Sequence, residues 1–341
     1  MILIISSLLD RHARVVAHAL ARRGVPTFIG DVMEFGAGAR LSARNGDLHW
    51  SRADGATANI AETRGVWCRR NFTPNFDPAM SDPCDREFAR RQWTEFLWGS
   101  VYALDVPLVN DPYLQQAATK TLQLSEARRV GLRVPDTLIT NQASAVLDFV
   151  ERHRGRVIHK TLGTAMDQTL FTKRWDGRDA EALNCLDLAP MIFQEQVRGH
   201  REVRVTLVGQ AIFAAEFDTG GKIDGRADVD APYRVHDLPQ EIADGLQALM
   251  ARLGLVYATV DLRIDGEGEY LFLELNPQGQ FLYVEIKTGL AITEAMADLL
   301  TGADPDAHRS ASRLPTDPPA ALLAAPRSGT VRWTAGSRMA S

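Results

Sequence analysis

Two apolar segments late in the chain, residues 256–264 and 270–275, flank the turn Asp265-Gly-Glu-Gly268 and read as a β-hairpin. What constrains the fold is that this hairpin is apolar and acidic at once. Asp261 lies on the first strand, and Glu274 and Asn276 on the second. Alternation along a strand puts Glu274 and Asn276 on one face. An even-numbered loop then sets Asp261 opposite or diagonal to Glu274 on that face, about 5 to 8 Å away. Leu271-Phe-Leu273 makes the strand too apolar for a surface hairpin, and carboxylates in such surroundings need a cation or hydrogen-bond donors. Two carboxylates and an amide oxygen are hard ligands, suited to a magnesium ion that also bridges phosphates. Standing alone, the motif also fits an acidic, solvent-facing hairpin.

The hairpin sits in a chain of 341 residues, long enough for two or three packed lobes. Residues 2–6 form a β-branched strand, 11–23 a helix stopped by Gly24, 25–29 and 65–68 further strands, 85–104 a helix and 106–109 another strand. These make a small N-terminal α/β lobe, 1–110, with a mostly parallel sheet, and Asn110-Asp-Pro112 marks its boundary. Residues 113–130 read as one helix ending at Gly131, 134–140 as a strand, 143–153 as a helix and 156–160 as a strand, giving a central unit of 111–190. In 191–302, strands at 191–197, 202–208 and 211–217 precede a helix at 240–253, the hairpin and a closing helix at 290–300. The chain is therefore α/β, turning α+β in its C-terminal half. Residues 303–341, rich in Pro, Ala, Ser and Arg without a sustained period, read as a disordered tail.

With 38 Lys and Arg against 43 Asp and Glu, the net charge is −5, so no global positive field exists to hold nucleic acid or an anionic membrane. Any anionic ligand must be met locally. Lys160 ends an apolar strand and runs into Thr161-Leu-Gly163, where backbone N–H groups can approach an anion without obstruction. Lys120 is a second candidate, although alone it fits a solvated surface charge. The 193–197 strand, with Gln194, Glu195 and Val197, offers main-chain groups for an adenine. Glu202 and Arg204, two apart on one strand face, can supply a ribose acceptor and a guanidinium for phosphate, but equally form a surface pair. Three cysteines with no CxxC or His-linked spacing argue against a disulfide frame or structural zinc and suit a reducing cytoplasm. No apolar run approaches a membrane span.

The order lysine, lysine, hinge strand, acid and arginine, then Asp and Glu-x-Asn resembles the ATP-grasp superfamily. Within it the chain resembles the graspetide ligases, such as the microviridin synthetases. The resemblance rests on Val66-Trp-Cys-Arg-Arg70, on Lys120-Thr-Leu-Gln-Leu124 and on Gly131-Leu-Arg-Val-Pro-Asp-Thr-Leu-Ile-Thr-Asn141. It rests further on Glu202-Val-Arg-Val-Thr-Leu-Val-Gly209 and, most specifically, on Phe272-Leu-Glu-Leu-Asn-Pro-Gln-Gly-Gln-Phe281 followed by Glu285 and Thr288-Gly-Leu290. It implies an ATP-grasp fold behind a small α/β pre-ATP-grasp lobe. It assigns ATP to Lys120, Lys160, Gln194, Glu195, Val197 and Glu202, magnesium to Asp261, Glu274 and Asn276, and catalytic arginines to Arg204, Arg226 and Arg263. The family often carries Asp-Trp-Arg where this chain has Asp224-Gly-Arg226, so the assignment of Arg226 to an acceptor carboxylate rests on a motif without its tryptophan. The resemblance also implies a precursor peptide, leader plus core, as partner, and a homodimer.

The expected chemistry is ATP-driven condensation of a peptide's Asp or Glu side chain with a Ser or Thr hydroxyl or a Lys amine, through an acyl phosphate. A small-molecule carboxylate–amine ligase of the same fold and a nucleotide-gated peptide-binding protein without turnover are the competing assignments. A dehydrogenase is disfavoured because the N-terminal strand–helix unit lacks the glycine fingerprint.

Overall fold

Ile2–Ser6 (β1) consists of five buried residues, four of them Ile or Leu, and such a run is stable only between two neighbouring strands. It pairs in parallel with Thr27–Asp31 (β2) on one side and Gly65–Cys68 (β6) on the other; Leu108–Val109 (β7) extends the sheet beyond β6. Helix Arg11–Arg22 connects β1 to β2, with Asp10 capping its N-terminus through the N–H of His12. The computed structural model describes residues 1–70, 74–163, 172–177, 183–221 and 232–302. The 303–341 stretch and Arg226 therefore lie outside the described residues.

The N-terminal region also holds a sheet that strand-period reading passed over. Arg40–Arg44 (β3), Asp47–Ser51 (β4) and Thr57–Asn59 (β5) pair antiparallel, with Asn45 and Gly46 forming a two-residue turn at φ of 53° and 94°. Its strands are short and mostly polar, and only Leu48 and Trp50 of β4 are buried. Trp50 lies directly against Gly30, where a Cβ would stand 2.4 Å from the indole.

The helix expected over 113–130 is two helices, Pro112–Ala117 and Lys120–Arg129. Thr119 leaves helical geometry (φ −68°, ψ 156°) and its hydroxyl accepts from Leu122 N at 3.4 Å, so Lys120 opens a new helix. Beyond it, Thr137–Thr140 (β8), Val157–Lys160 (β9), Lys173–Arg174 (β10) and Met191–Glu195 (β11) form an antiparallel sheet ordered β10-β9-β11-β8. Helix Ala143–Arg152 packs against it through Val146 and Phe149.

Five antiparallel strands follow in the order β14-β13-β12-β15-β16: Arg201–Val208 (β12), Ala211–Asp218 (β13), Arg234–Val235 (β14), Tyr257–Ile264 (β15) and Tyr270–Asn276 (β16). One face of this sheet buries Val203, Val205, Val260, Leu262, Phe272 and Leu275 against helices Lys120–Arg129 and Gln240–Leu253. The other face buries Val208, Ala215 and Tyr257 in the core shared with the N-terminal sheet and leaves the remainder for the cleft. A short helix, Leu282–Thr288, not expected from sequence, precedes the last one, Ile292–Thr301. That last helix returns to the N-terminal sheet, where Met296, Leu299 and Leu300 share a core with Ile2, Ile4, Val16 and Leu20. Among the described residues no helix is long and apolar enough to cross a membrane.

Candidate active site

The β15–β16 hairpin carries Asp261 directly opposite Glu274, and Thr259 opposite Asn276. The route to that register differs from the sequence expectation. Ile264 pairs with Tyr270, so the loop has five residues, closed by Asp265 N to Glu269 O at 3.0 Å and by the Asp265 carboxylate accepting from Glu267 and Glu269 N–H. An odd loop alone would set Asp261 opposite Leu273. A β-bulge between Asp261 and Leu262 absorbs the extra residue. It sends Phe272 into the core while Leu273, Glu274 and Asn276 all line the cleft.

Neither carboxylate stands alone. Asp261 Oδ1 accepts from Arg204 Nη1 at 2.6 Å, across the register pair Arg204–Asp261. Glu274 Oε2 lies 3.6 Å from Lys120 Nζ, which also donates to the Thr161 carbonyl at 3.2 Å. Lys120 can reach both because the break at Thr119 sets it at a helix start. Glu202 does not pair with Arg204 on its own strand; its partner is Arg263, directly opposite on β15 and buried with it. Arg263 also donates to the Gly199 carbonyl at 3.2 Å. Burial works against the charge of Arg204, but the field of Asp261 and its hydrogen bond outweigh it and hold the guanidinium proton more tightly.

These groups open onto one cavity of about 920 Å³, large enough for a nucleotide and part of a second substrate. Lys160, Gln194, Glu195, Val197, Glu202, Arg204, Asp261, Arg263, Glu274 and Asn276 all line it, while Lys120 acts from its edge through Glu274 and Thr161. The Gln194 amide is engaged, donating to Thr137 Oγ1 at 2.9 Å, and the Glu195 carboxylate accepts from Asp136 N at 3.1 Å. The N–H groups of Glu195 and Gln196 are also engaged, donating to the Asp136 and Arg156 carbonyls at 2.9 Å, so what this strand offers an adenine is the main chain near Val197 rather than those side chains. Among the described residues, eight Lys or Arg side chains line the cavity against four Asp or Glu, a local positive field inside an acidic chain.

Sequence reasoning missed Tyr233, Tyr283 and Lys287, which line one end of the cavity. Tyr233 and Tyr283 meet edge to face at 5.5 Å, and Lys287 Nζ lies 5.0 Å over the Tyr233 ring. Burial raises both phenols above their ordinary value. Tyr283 and Lys287, four residues apart, would have stood out on one face had the Leu282–Thr288 helix been read. Nothing around Tyr233 signals its place. Glu285, part of the motif quoted above, accepts from Thr293 N at 3.1 Å and from the Thr293 hydroxyl, fastening the final helix rather than facing a substrate.

No family model matches the chain, and no curated protein does. Solved structures do. The macrocyclase MdnC of Microcystis aeruginosa, bound with its precursor peptide MdnA, is 26% identical, with a TM-score of 0.81 over 89% of this chain and 100% of that one. The macrocyclase MdnB of the same organism is 29% identical, with a TM-score of 0.74 over 88% of this chain and 98% of that one. The ATP-grasp ligase PsnB, complexed with minimal precursor, Mg and ADP, is 25% identical, with a TM-score of 0.74 over 88% of this chain and 96% of that one.

Proposed function

We propose that this chain, an ATP-grasp ligase of the graspetide macrocyclase type, phosphorylates Asp or Glu side chains of a ribosomal precursor peptide and closes each onto a Ser or Thr hydroxyl or a Lys amine. The observation that carries this is the pairing of the two hairpin carboxylates with cations, Asp261 with Arg204 and Glu274 with Lys120, in a cavity large enough for a nucleotide and part of a second substrate. A carboxylate oxygen of the peptide attacks the γ-phosphorus of ATP, the bond to ADP breaks, and an acyl phosphate results. The hydroxyl or amine then attacks the acyl carbon, the bond to phosphate breaks, and the proton leaves with phosphate. Arg204, Lys120 and Lys160 neutralise charge on the transferring oxygens, while the walls of the cleft align the partners and keep water from the acyl phosphate.

Asp261, Glu274 and Asn276 fit magnesium. Their oxygens are hard donors, and the two carboxylates are now balanced by cations that a divalent ion would replace. Among the described residues no three His, Cys, Asp or Glu side chains form a self-sufficient cluster, so phosphate oxygens would complete the ion's shell. Bound there, magnesium supplies charge neutralisation for phosphoryl transfer. We further assign Glu202 and the 195–197 main chain to ribose and adenine, Arg263 to holding Glu202, and Arg226 to the acceptor carboxylate. Lobes of 1–110, 111–190 and 191–302, a precursor peptide of leader plus core, a homodimer and a cytoplasmic setting complete the proposal. Three unpaired cysteines support the last.

The deciding experiment is co-expression with a short acidic peptide encoded beside the chain, read by mass spectrometry. Loss of one water per ring is expected, dependent on Asp261, Glu274 and Asn276. Peptide recovered at unchanged mass with nucleotide still hydrolysed would overturn the assignment.

A further inference from the structure

The loop 277–282, which follows the Asn276 ligand, is gripped from behind by three polar residues of the N-terminal region. His12 Nε2 accepts from the N–H groups of Phe281 (3.1 Å) and Leu282 (3.3 Å), and the imidazole edge meets the Phe281 ring at 5.0 Å. An Nε2 accepting two amides carries no proton, so the hydrogen is on Nδ1, which faces Asp10 Oδ1 at 3.3 Å. Asp10 Oδ2 in turn accepts from Ser6 Oγ at 3.1 Å and stands 3.4 Å from Arg69 Nε. Arg69, 1% exposed, donates from Nη1 to the Gln278 carbonyl at 2.6 Å, while its Nε and Nη2 make no hydrogen bond.

The other side of the same loop faces the cleft. The Gln280 carbonyl accepts from Arg204 Nη2 at 3.3 Å, Asn276 Oδ1 accepts from Gln278 N at 2.9 Å, and Gln278 and Gln280 line the cavity. Apolar side chains in place of Asp10, His12 and Arg69 would fill this region at lower desolvation cost. What a buried polar trio adds is direction, since each hydrogen bond fixes one backbone atom of the loop.

We propose that Asp10, His12 and Arg69 form a positioning device that sets the 277–282 loop from behind, and through it the orientation of Arg204 and Asn276. This rests on the ligase assignment for its consequence in turnover, though not for its consequence in loop structure. His12 is the center of the device because it alone holds two amides. It touches no substrate and is a positioning residue.

The test compares His12→Ala, His12→Asn and His12→Gln in the full chain. A Gln side chain can carry an acceptor oxygen to where Nε2 now lies, and Asn falls short of it. Amide hydrogen exchange at Phe281 and Leu282 should rise about a hundredfold in the Ala and Asn variants and about tenfold or less in Gln. Peptide dehydration should lose about tenfold to a hundredfold in kcat for Ala and Asn, with calorimetric affinity for magnesium AMPPNP weakened in the same two variants, and Gln should recover most of both. A purely structural role would lower the melting temperature of all three without that split. Should the Ala variant not fold, the Asn and Gln pair decides. Equal exchange and equal kcat in those two overturn the proposal. If the parent chain itself dehydrates no peptide, the ligase assignment fails and the exchange measurement still decides the positioning role.

Discussion

Asp261, Glu274 and Glu202 each face a cation that comes from another strand or helix: Arg204, Lys120 and Arg263. Periodicity identified the residues and the face they share, but not which cation meets which anion, because that depends on strand order. Glu202 and Arg204 share a face of β12, but the register sets Arg263 opposite Glu202 and Asp261 opposite Arg204. Glu274→Ala separates chemistry from stability. Its ion pair with Lys120 is about a quarter exposed and 3.6 Å long, worth at most about 1 kcal/mol. Ring formation should fall by roughly 10² to 10³ with the melting temperature moved by no more than about 4 °C. Undiminished ring formation by the folded variant would remove Glu274 from the site. Proton linkage at the buried trio has a definite sign. Burial lowers the pKa of His12 below its ordinary value, with the Asp10 hydrogen bond opposing. Burial works to raise Asp10, yet the His12 hydrogen bond and the Arg69 charge hold it well below the usual carboxylate range. Both folded values are depressed, so the unfolded chain takes protons first as pH falls. Stability is full above about pH 6.5, declines below it through His12, and declines again below about pH 4 through Asp10. Urea midpoints across that range should show the first decline reduced in His12→Gln; an unchanged decline would assign it to other histidines.

Elements with a strong period were legible: Gly65–Cys68 and Gln240–Leu253 lie where the pattern put them. Three features were not. Asn45-Gly46 is a strong hairpin signal, but the strands beside it are too polar for an alternation to show. The helix break at Thr119 comes from a hydroxyl competing for the backbone, which an apolar count does not register. The bulge in the hairpin beside Asp261 has no local signature, and only the pairing of β16 with β15 reveals it. The Asn-Pro-Gln-Gly-Gln turn shows how tightly such an element is specified. A Cβ on Gly279 would lie 1.7 Å from Thr259 Oγ1 and 2.6 Å from Thr259 Cγ2. Gly279→Ala should destabilise the chain by about 1–3 kcal/mol and displace the turn. Thr259→Gly removes both of those atoms and the Thr259 Cβ, also 2.6 Å away, so the double variant should recover part of the loss in a denaturation cycle. Strict additivity of the two changes would mean that the turn moves freely.

At the scale of the molecule, the N-terminal sheet does not complete its own core. Met296, fully buried, shares that core with Ile4, Val16 and Leu20, and Arg23 pairs with Glu294 and Asp298 at the rim. Asn110 adds a second tie, its amide spanning the Tyr257 backbone and the Pro277 carbonyl. Met296→Ala should cost about 2–5 kcal/mol. Hydrogen exchange should show helix Arg11–Arg22 loosening along with the last helix, whereas loosening of the last helix alone would contradict the shared core. Synthesis runs from one end, and Ile292–Thr301 is the last described helix to leave the ribosome. The N-terminal sheet therefore waits, with one wall open, for nearly two hundred residues of later chain. Chaperone occupancy on nascent chains should persist over the first hundred residues until residue 302 clears the exit tunnel.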